Sequence, residues 1–196
     1  SNGNQEFLGT LRNADGELLG KENQSLGQKV DSMGRLVLSS EELETIFGVD
    51  AWTGPAMLMV RGEKPFDLMS RLISPSGLVS NTNCTREDRV LNIEGFDSKN
   101  MTYIRLINTE DKSIGKVRGT LYGADGSIIG EPDSVLVNSM SPYQQIWISR
   151  DRLAGKINAE WTGEAMLEVD PINGLRLLNL NYITDEETFF NFSCFE

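Results

Sequence analysis

The sequence predicts an all-β chain of two tandem antiparallel β-sandwich domains derived from an internal duplication. Three observations carry that expectation. First, a twelve-residue stretch occurs twice: Gly9-Thr10-Leu11-Arg12-Asn13-Ala14-Asp15-Gly16-Glu17-Leu18-Leu19-Gly20 returns as Gly119-Thr120-Leu121-Tyr122-Gly123-Ala124-Asp125-Gly126-Ser127-Ile128-Ile129-Gly130, with seven of twelve positions identical. Second, each copy is followed by Trp-Thr-Gly-x-Ala-Met-Leu-x-Val, at residues 52–60 and 161–169, and each closes on a cysteine, Cys84 and Cys194. The offset is 110 residues at the glycine, 109 at the tryptophan and 110 at the cysteine, so single-residue gaps align the copies. Third, each copy holds about seven short segments separated by turns, the pattern of an antiparallel sandwich. No βαβ alternation appears, which disfavours a parallel nucleotide-binding sheet.

The 196 residues therefore divide into a first repeat at 1–88, a linker or extra strand at 89–100, and a second repeat at 101–196. Each repeat is long enough to bury one modest core. The period is too long for a solenoid, whose repeats run about 20–50 residues.

Taken in order, the twelve-residue stretch reads as a β-hairpin. Apolar residues flank Ala-Asp-Gly, and the glycine supplies the positive φ that such a loop requires. Asp15 and Asp125 are turn residues on this reading, because a calcium loop needs ligands at alternating positions and a distal bidentate glutamate. A strand pair follows, at 25–30 with 35–38 and at 134–140 with 145–148. In the second pair Ile146 and Ile148 alternate with Gln145 and Trp147, the period of a half-buried strand. Ser39 stands three residues before Glu42, a capping-box spacing that starts a short helix with Leu43, Ile46 and Phe47 facing inward. In the second copy Ser149, Leu153 and Ile157 fall in register, with Arg152 in place of the capping glutamate.

Residues 52–60 and 161–169 read as strands, followed by strands at 66–73 and 175–183 and by last strands at 78–84 and 188–194. The copies are unequal. The strand at 101–108 precedes the second hairpin, and its counterpart would lie before residue 1. Three sources for it are open at this stage: a chain cut inside a domain, the segment 89–96, or a strand from another molecule. A sandwich short of an edge strand exposes unpaired backbone and invites strand addition.

The run Ile104-Arg105-Leu106-Ile107-Asn108-Thr109, then Gly-Thr-Leu-Tyr-Gly-Ala-Asp-Gly-Ser-Ile-Ile-Gly, then Trp-Thr-Gly-x-Ala-Met-Leu, resembles tandem repeat modules of secreted and surface-anchored bacterial proteins. The resemblance covers nearly the whole chain. It implies an immunoglobulin-like fold and an extracytoplasmic location, whether secreted, periplasmic or at the cell surface. It carries no catalytic positions.

Charge and composition exclude several activities. The net charge of −11 repels phosphate backbones, and no Lys/Arg cluster offsets it, so nucleic acid is not an expected partner. No run approaches the ~20 apolar residues of a membrane span, so no membrane insertion is expected. The chain contains no histidine, which removes Ser-His-Asp and Cys-His catalysis and His-ligated zinc. Neither a phosphate-binding P-loop nor a dinucleotide fingerprint is present. No cofactor, metal site or catalytic residue is expected. Glu41/Glu42, Glu87/Asp88 and Asp185/Glu186/Glu187 are the acidic clusters on which a hydrolase would depend, and none recurs in both copies; such runs are ordinarily solvated surface or turn residues.

Cys84 and Cys194 read as free thiols or as disulfide partners, within this chain or outside it. Asn23, Asn83, Asn100 and Asn191 fit the glycosylation acceptor pattern. Trp147 stands where the first copy has Val37, so the shared core does not need it. Its alternation with Ile146 and Ile148 sets it on the outer face near Tyr143, where a Trp/Tyr pair can stack a sugar or anchor a partner. Packing at the domain interface is the plainer role for the same ring, since apolar faces near a linker are usually covered. The expected function is a non-catalytic structural or protein-interaction module, with protein partners or self-association through sheet edges. The alternatives are a carbohydrate-binding module using Trp147 and Tyr143, and, less favoured, an acidic-residue hydrolase.

Overall fold

A computed structural model describes residues 4–73, 77–81 and 89–194, with backbone alone for Glu186 and Cys194. The chain is all-β; among the described residues its strands pair antiparallel, and the two α-helices are eight residues each. It forms two compact units, Ser1–Leu68 and Met69–Glu196.

The first unit contains β1 (Leu8–Arg12), β2 (Gln24–Ser25), α1 (Ser40–Phe47) and β3 (Met57–Arg61), with sheet order β2-β1-β3. The second unit contains β4 (Arg71–Ile73), β5 (Val79–Asn81), β6 (Val90–Glu94), β7 (Met101–Asn108), β8 (Val117–Gly123), β9 (Ile128–Val137), β10 (Gln145–Ser149), α2 (Arg150–Ile157), β11 (Glu164–Val169), β12 (Leu175–Ile183) and β13 (Thr188–Asn191). Its strands form two four-stranded sheets, β6-β11-β8-β9 and β10-β7-β12-β13, and the β4-β5 hairpin. Inward residues of both four-stranded sheets, among them Leu91, Ile93, Ile104, Leu106, Leu121 and Leu167, form one buried cluster. Each such side chain contributes about 2 kcal/mol by leaving water.

The two hairpin stretches adopt the same ladder. Gly9 pairs with Val60 and Leu11 with Leu58, while Gly119 pairs with Val169 and Leu121 with Leu167. Gly9 also pairs with Gln24, as Gly119 does with Ser134. The turn glycines take the positive φ that the sequence requires, 86° at Gly16 and 81° at Gly126. Thr10 Oγ1 accepts the Asn23 N–H (3.1 Å) and Thr120 Oγ1 accepts the Asp133 N–H (2.9 Å). Asn23 and Asp133 both sit in the left-handed region, which amide and carboxylate side chains tolerate better than most.

Both helices start as expected. The Glu42 N–H donates to Ser39 Oγ (3.2 Å), and the Ser39 N–H donates back to the Glu42 carboxylate (2.7 Å). In α2 the Arg152 N–H donates to Ser149 Oγ (3.4 Å), and the arginine returns no such bond. Gly20 (φ 79°) and Gly130 (φ 72°) lie against the carbonyls of Phe47 and Ile157 at the helix ends, where a Cβ would collide with backbone.

Several expected strands are shorter or absent. The segment 25–30 yields only β2, 35–38 is not a strand, and 66–73 is reduced to β4. The reason lies in pairing. β10 is a strand because β7 carries its backbone, with Trp147 opposite Arg105; residues 35–38 have no such partner among the described strands. The segment 89–96 does not fill that place in the first unit. Its residues form β6 at the edge of β11, with Leu91 opposite Leu167. Residues 192–194 form a 3-10 turn after β13 rather than more strand.

Burial follows the same difference. Leu167, Val169 and Leu153 are at most 1% exposed. Their counterparts Leu58, Val60 and Leu43 are half-buried, around a small cluster whose buried members are Leu11, Leu26 and Phe47.

Candidate functional site

Trp147 is the most chemically distinctive of the sequence candidates, and it lies in the middle of β10. Antiparallel pairing sets residues directly opposite each other on one face; Trp147 is opposite Arg105, and Tyr103 follows two residues along β7 on that face. The Arg105 guanidinium carbon lies 5.3 Å from the indole centroid, a cation–π contact. Tyr103 meets the indole edge to face, with centroids 6.2 Å apart and planes at 77°. Phe189 then packs on Tyr103 at 6.0 Å and on Tyr182 at 5.1 Å. A row of four aromatic rings and one cation thus crosses β10, β7, β13 and β12.

Trp147 is half-buried rather than fully exposed. Burial lowers the Arg105 pKa from the usual arginine range to about 10, so the guanidinium remains charged at neutral pH and cannot act as a base there. Trp147 Nε1, Arg105 Nε and both amide atoms of Gln145 are buried without a hydrogen-bond partner. Gln145 precedes Trp147 by two residues and shares its face. This arrangement can hold aromatic or anionic groups by stacking and charge; it contains no proton-transfer pair.

Tyr143 lies in the turn before β10, in the left-handed region at φ 59°, and its N–H donates to the Glu110 carbonyl (3.2 Å). The ring that meets Trp147 is Tyr103. Tyr103 and Arg105 were missed in the sequence reading, although they alternate with Ile104 and Leu106 along a strand already recognised. What was lacking is the register that sets β10 beside β7.

A depression of about 470 Å³ opens between the end of β9, β10 and α2, with Ile146, Trp147, Arg152 and Lys156 among its lining. Arg152 Nη1 donates to the Trp147 carbonyl (3.3 Å). Arg152 and Lys156 make this the basic part of the Trp147 region.

The acidic candidates have structural surroundings. Glu42 belongs to the α1 cap, and hydrogen bonds from the Ser39 backbone and hydroxyl hold its carboxyl below the ordinary range. Asp125 is held low likewise, by hydrogen bonds from the Ser127 hydroxyl and N–H. Asp185 and Glu186 lie in a 3-10 turn, which Glu187 ends in the left-handed region. Glu87 and Asp88 lie outside the described residues, as does Cys84, and the Cys194 side chain is not described. Among the described residues, no group of three or more His, Cys, Asp or Glu side chains is placed to hold a metal ion. No helix among them is long and apolar enough to cross a membrane.

The segments leading to the cysteines do meet. Asn191 Nδ2 donates to the Asn81 carbonyl (3.0 Å), and Ser80 Oγ donates to the Phe189 carbonyl. Comparisons with protein-family models, curated proteins and solved structures find no significant match for the chain.

Proposed function

We propose that the chain is a non-catalytic structural and protein-interaction module, built of two tandem immunoglobulin-like β-sandwich repeats from an extracytoplasmic bacterial protein. One observation carries this reading: the residues that recur at a constant offset serve architecture. Gly9 and Gly119 stand at the same ladder position, Thr10 and Thr120 bind the same turn, and Leu11 and Leu121 are buried. Gly16 and Gly126 make the turn, while Gly20 and Gly130 admit the end of the helix. A sequence that repeats its turn, ladder and helix-contact residues, and none of its acidic clusters, repeats a scaffold. The extracytoplasmic bacterial setting rests on the sequence resemblance.

The carbohydrate-binding alternative draws on Trp147, whose ring belongs to an aromatic row on a sheet face. Arg105 already lies over that indole, which reduces the face left for a sugar and favours the scaffold reading. The discriminating experiment titrates the intact protein with a panel of oligosaccharides while following tryptophan emission and new reducing ends. The scaffold reading expects neither to change. A saturable emission shift that disappears in Trp147→Phe would support carbohydrate binding, and new reducing ends would support a hydrolase; either result overturns the proposal.

A further inference from the structure

β3 and β11 hold the same place in their sheets. Leu58 stands opposite Leu11 as Leu167 stands opposite Leu121, and Val60 opposite Gly9 as Val169 opposite Gly119. The second edge of β11 is taken by β6, with Leu91 opposite Leu167 and Ile93 opposite Ala165. The second edge of β3 has no partner among the described strands.

Exposed strand edges are commonly guarded by charge, proline or a bulge. β11 carries Glu164 and Glu168 on its outward face even though β6 covers its edge. β3 is guarded at its start, where Pro55 stands in the place of Glu164, but not along its length, where Met59 stands in the place of Glu168. Met57, Leu58, Met59 and Val60 are all half-buried, and no charge appears before Arg61. Its unpaired edge therefore comes with apolar side chains on both faces, two of them methionines that adapt to varied partners. The segment after β6 indicates what more a bound strand would cover. Phe96 packs edge to face on Trp161 at 5.5 Å, and its N–H donates to the Trp161 carbonyl (2.9 Å). Trp161 is 5% exposed, whereas its counterpart Trp52 is half-buried.

We infer that the outer edge of β3 is an acceptor site for an extended strand of a partner polypeptide. The strand would run antiparallel to β3, with apolar residues at alternate positions opposite Leu58 and Ala56 and an aromatic residue beyond them to cover Trp52. This is β-augmentation: main-chain hydrogen bonds supply affinity, and alternate side chains supply specificity. The inference rests on the protein-interaction reading and names its surface. A second copy of the chain is a poor donor, because its Val90–Glu94 is already held by β11 and a net charge of −11 on each copy opposes their approach.

The test adds a synthetic peptide of residues 89–96, Arg-Val-Leu-Asn-Ile-Glu-Gly-Phe, to the intact protein and follows amide hydrogen exchange residue by residue. The expected result is a saturable slowing of β3 amides by about tenfold or more, with β11 unchanged and no effect from a peptide carrying Leu91→Asp and Ile93→Asp. Equal slowing by the two peptides, or none at millimolar peptide, would overturn the site. So would a dimer by light scattering whose β3 amides are already protected without peptide, since a second copy would then be the occupant. Failure at β3 with no response to oligosaccharides defeats this site alone, while glycan binding or hydrolysis defeats the reading beneath it.

Discussion

Leu58 of β3 and Leu167 of β11 occupy equivalent ladder positions, yet Leu167 is wholly buried and Leu58 only half-buried. Two differences accompany this: the facing sheet β10-β7-β12-β13, whose Ile104 and Leu106 join Leu167 in one buried cluster and which has no counterpart among the described strands of the first unit, and the strand beyond. Leu167 lies between Leu121 of β8 and Leu91 of β6, whereas Leu58 has Leu11 on one side and no described strand on the other.

That asymmetry sets the cost of truncation. Leu167→Ala leaves a cavity in a closed core and is expected to cost about 3–4 kcal/mol, while Leu58→Ala at a partly open site is expected to cost about 1–2 kcal/mol. Denaturant unfolding of the two variants, each compared with the parent, checks the ranking. Equal costs would mean that the first unit is closed as tightly as the second.

Glycine substitutions separate conformational strain from collision. Gly126 (φ 81°) has open space where a Cβ would stand, so Gly126→Ala is expected to cost about 1–2 kcal/mol from the left-handed backbone alone. Gly130→Ala adds a collision with the Ile157 carbonyl and is expected to cost clearly more, with Gly20→Ala behaving alike against Phe47. Thermal unfolding of the three variants would show whether the two helix-contact glycines form a separate, more damaging class.

These two classes also mark what was legible in the sequence. The hairpin turns, the start of α1 and the ladder through 52–60 and 161–169 rest on local chemistry: a glycine with positive φ, a serine three residues before a glutamate, and apolar alternation. The lengths of the strands were not legible. Residues 35–38 carry the same alternation as β10, but a strand exists only where a neighbour completes its hydrogen bonds. The pairing of β6 with β11 was likewise hidden, because sequence alternation does not reveal which edge a strand joins. At the candidate site Trp147 stood out as an unmatched residue, whereas Arg105 and Tyr103 required the β7–β10 register. Arg150 was also missed: it donates to the carbonyls of Gly95, Ser98 and Asn100, tying down the connection from β6 to β7.

The turn at Asp125 has a pH signature. Its carboxylate accepts the Ser127 hydroxyl (2.6 Å) and N–H (3.0 Å), which holds the folded pKa below the ordinary value of 3.8. A depressed carboxyl pKa contributes stability that is present above the unfolded value and lost as pH falls through the folded value. Ser127→Ala removes the larger cause, so the Asp125 midpoint followed by NMR should rise toward 3.8. An unchanged midpoint would show that the hydroxyl does not set it.

The most direct test of the central claim, that β3 keeps an open edge where β11 is paired on both sides, is native-state amide hydrogen exchange of the intact protein without any additive. The account predicts that the amides of β11 are protected throughout, whereas alternate amides of β3, those pointing away from β1, exchange at least a hundredfold faster. Uniform protection along β3, equal to that of β11, would contradict it.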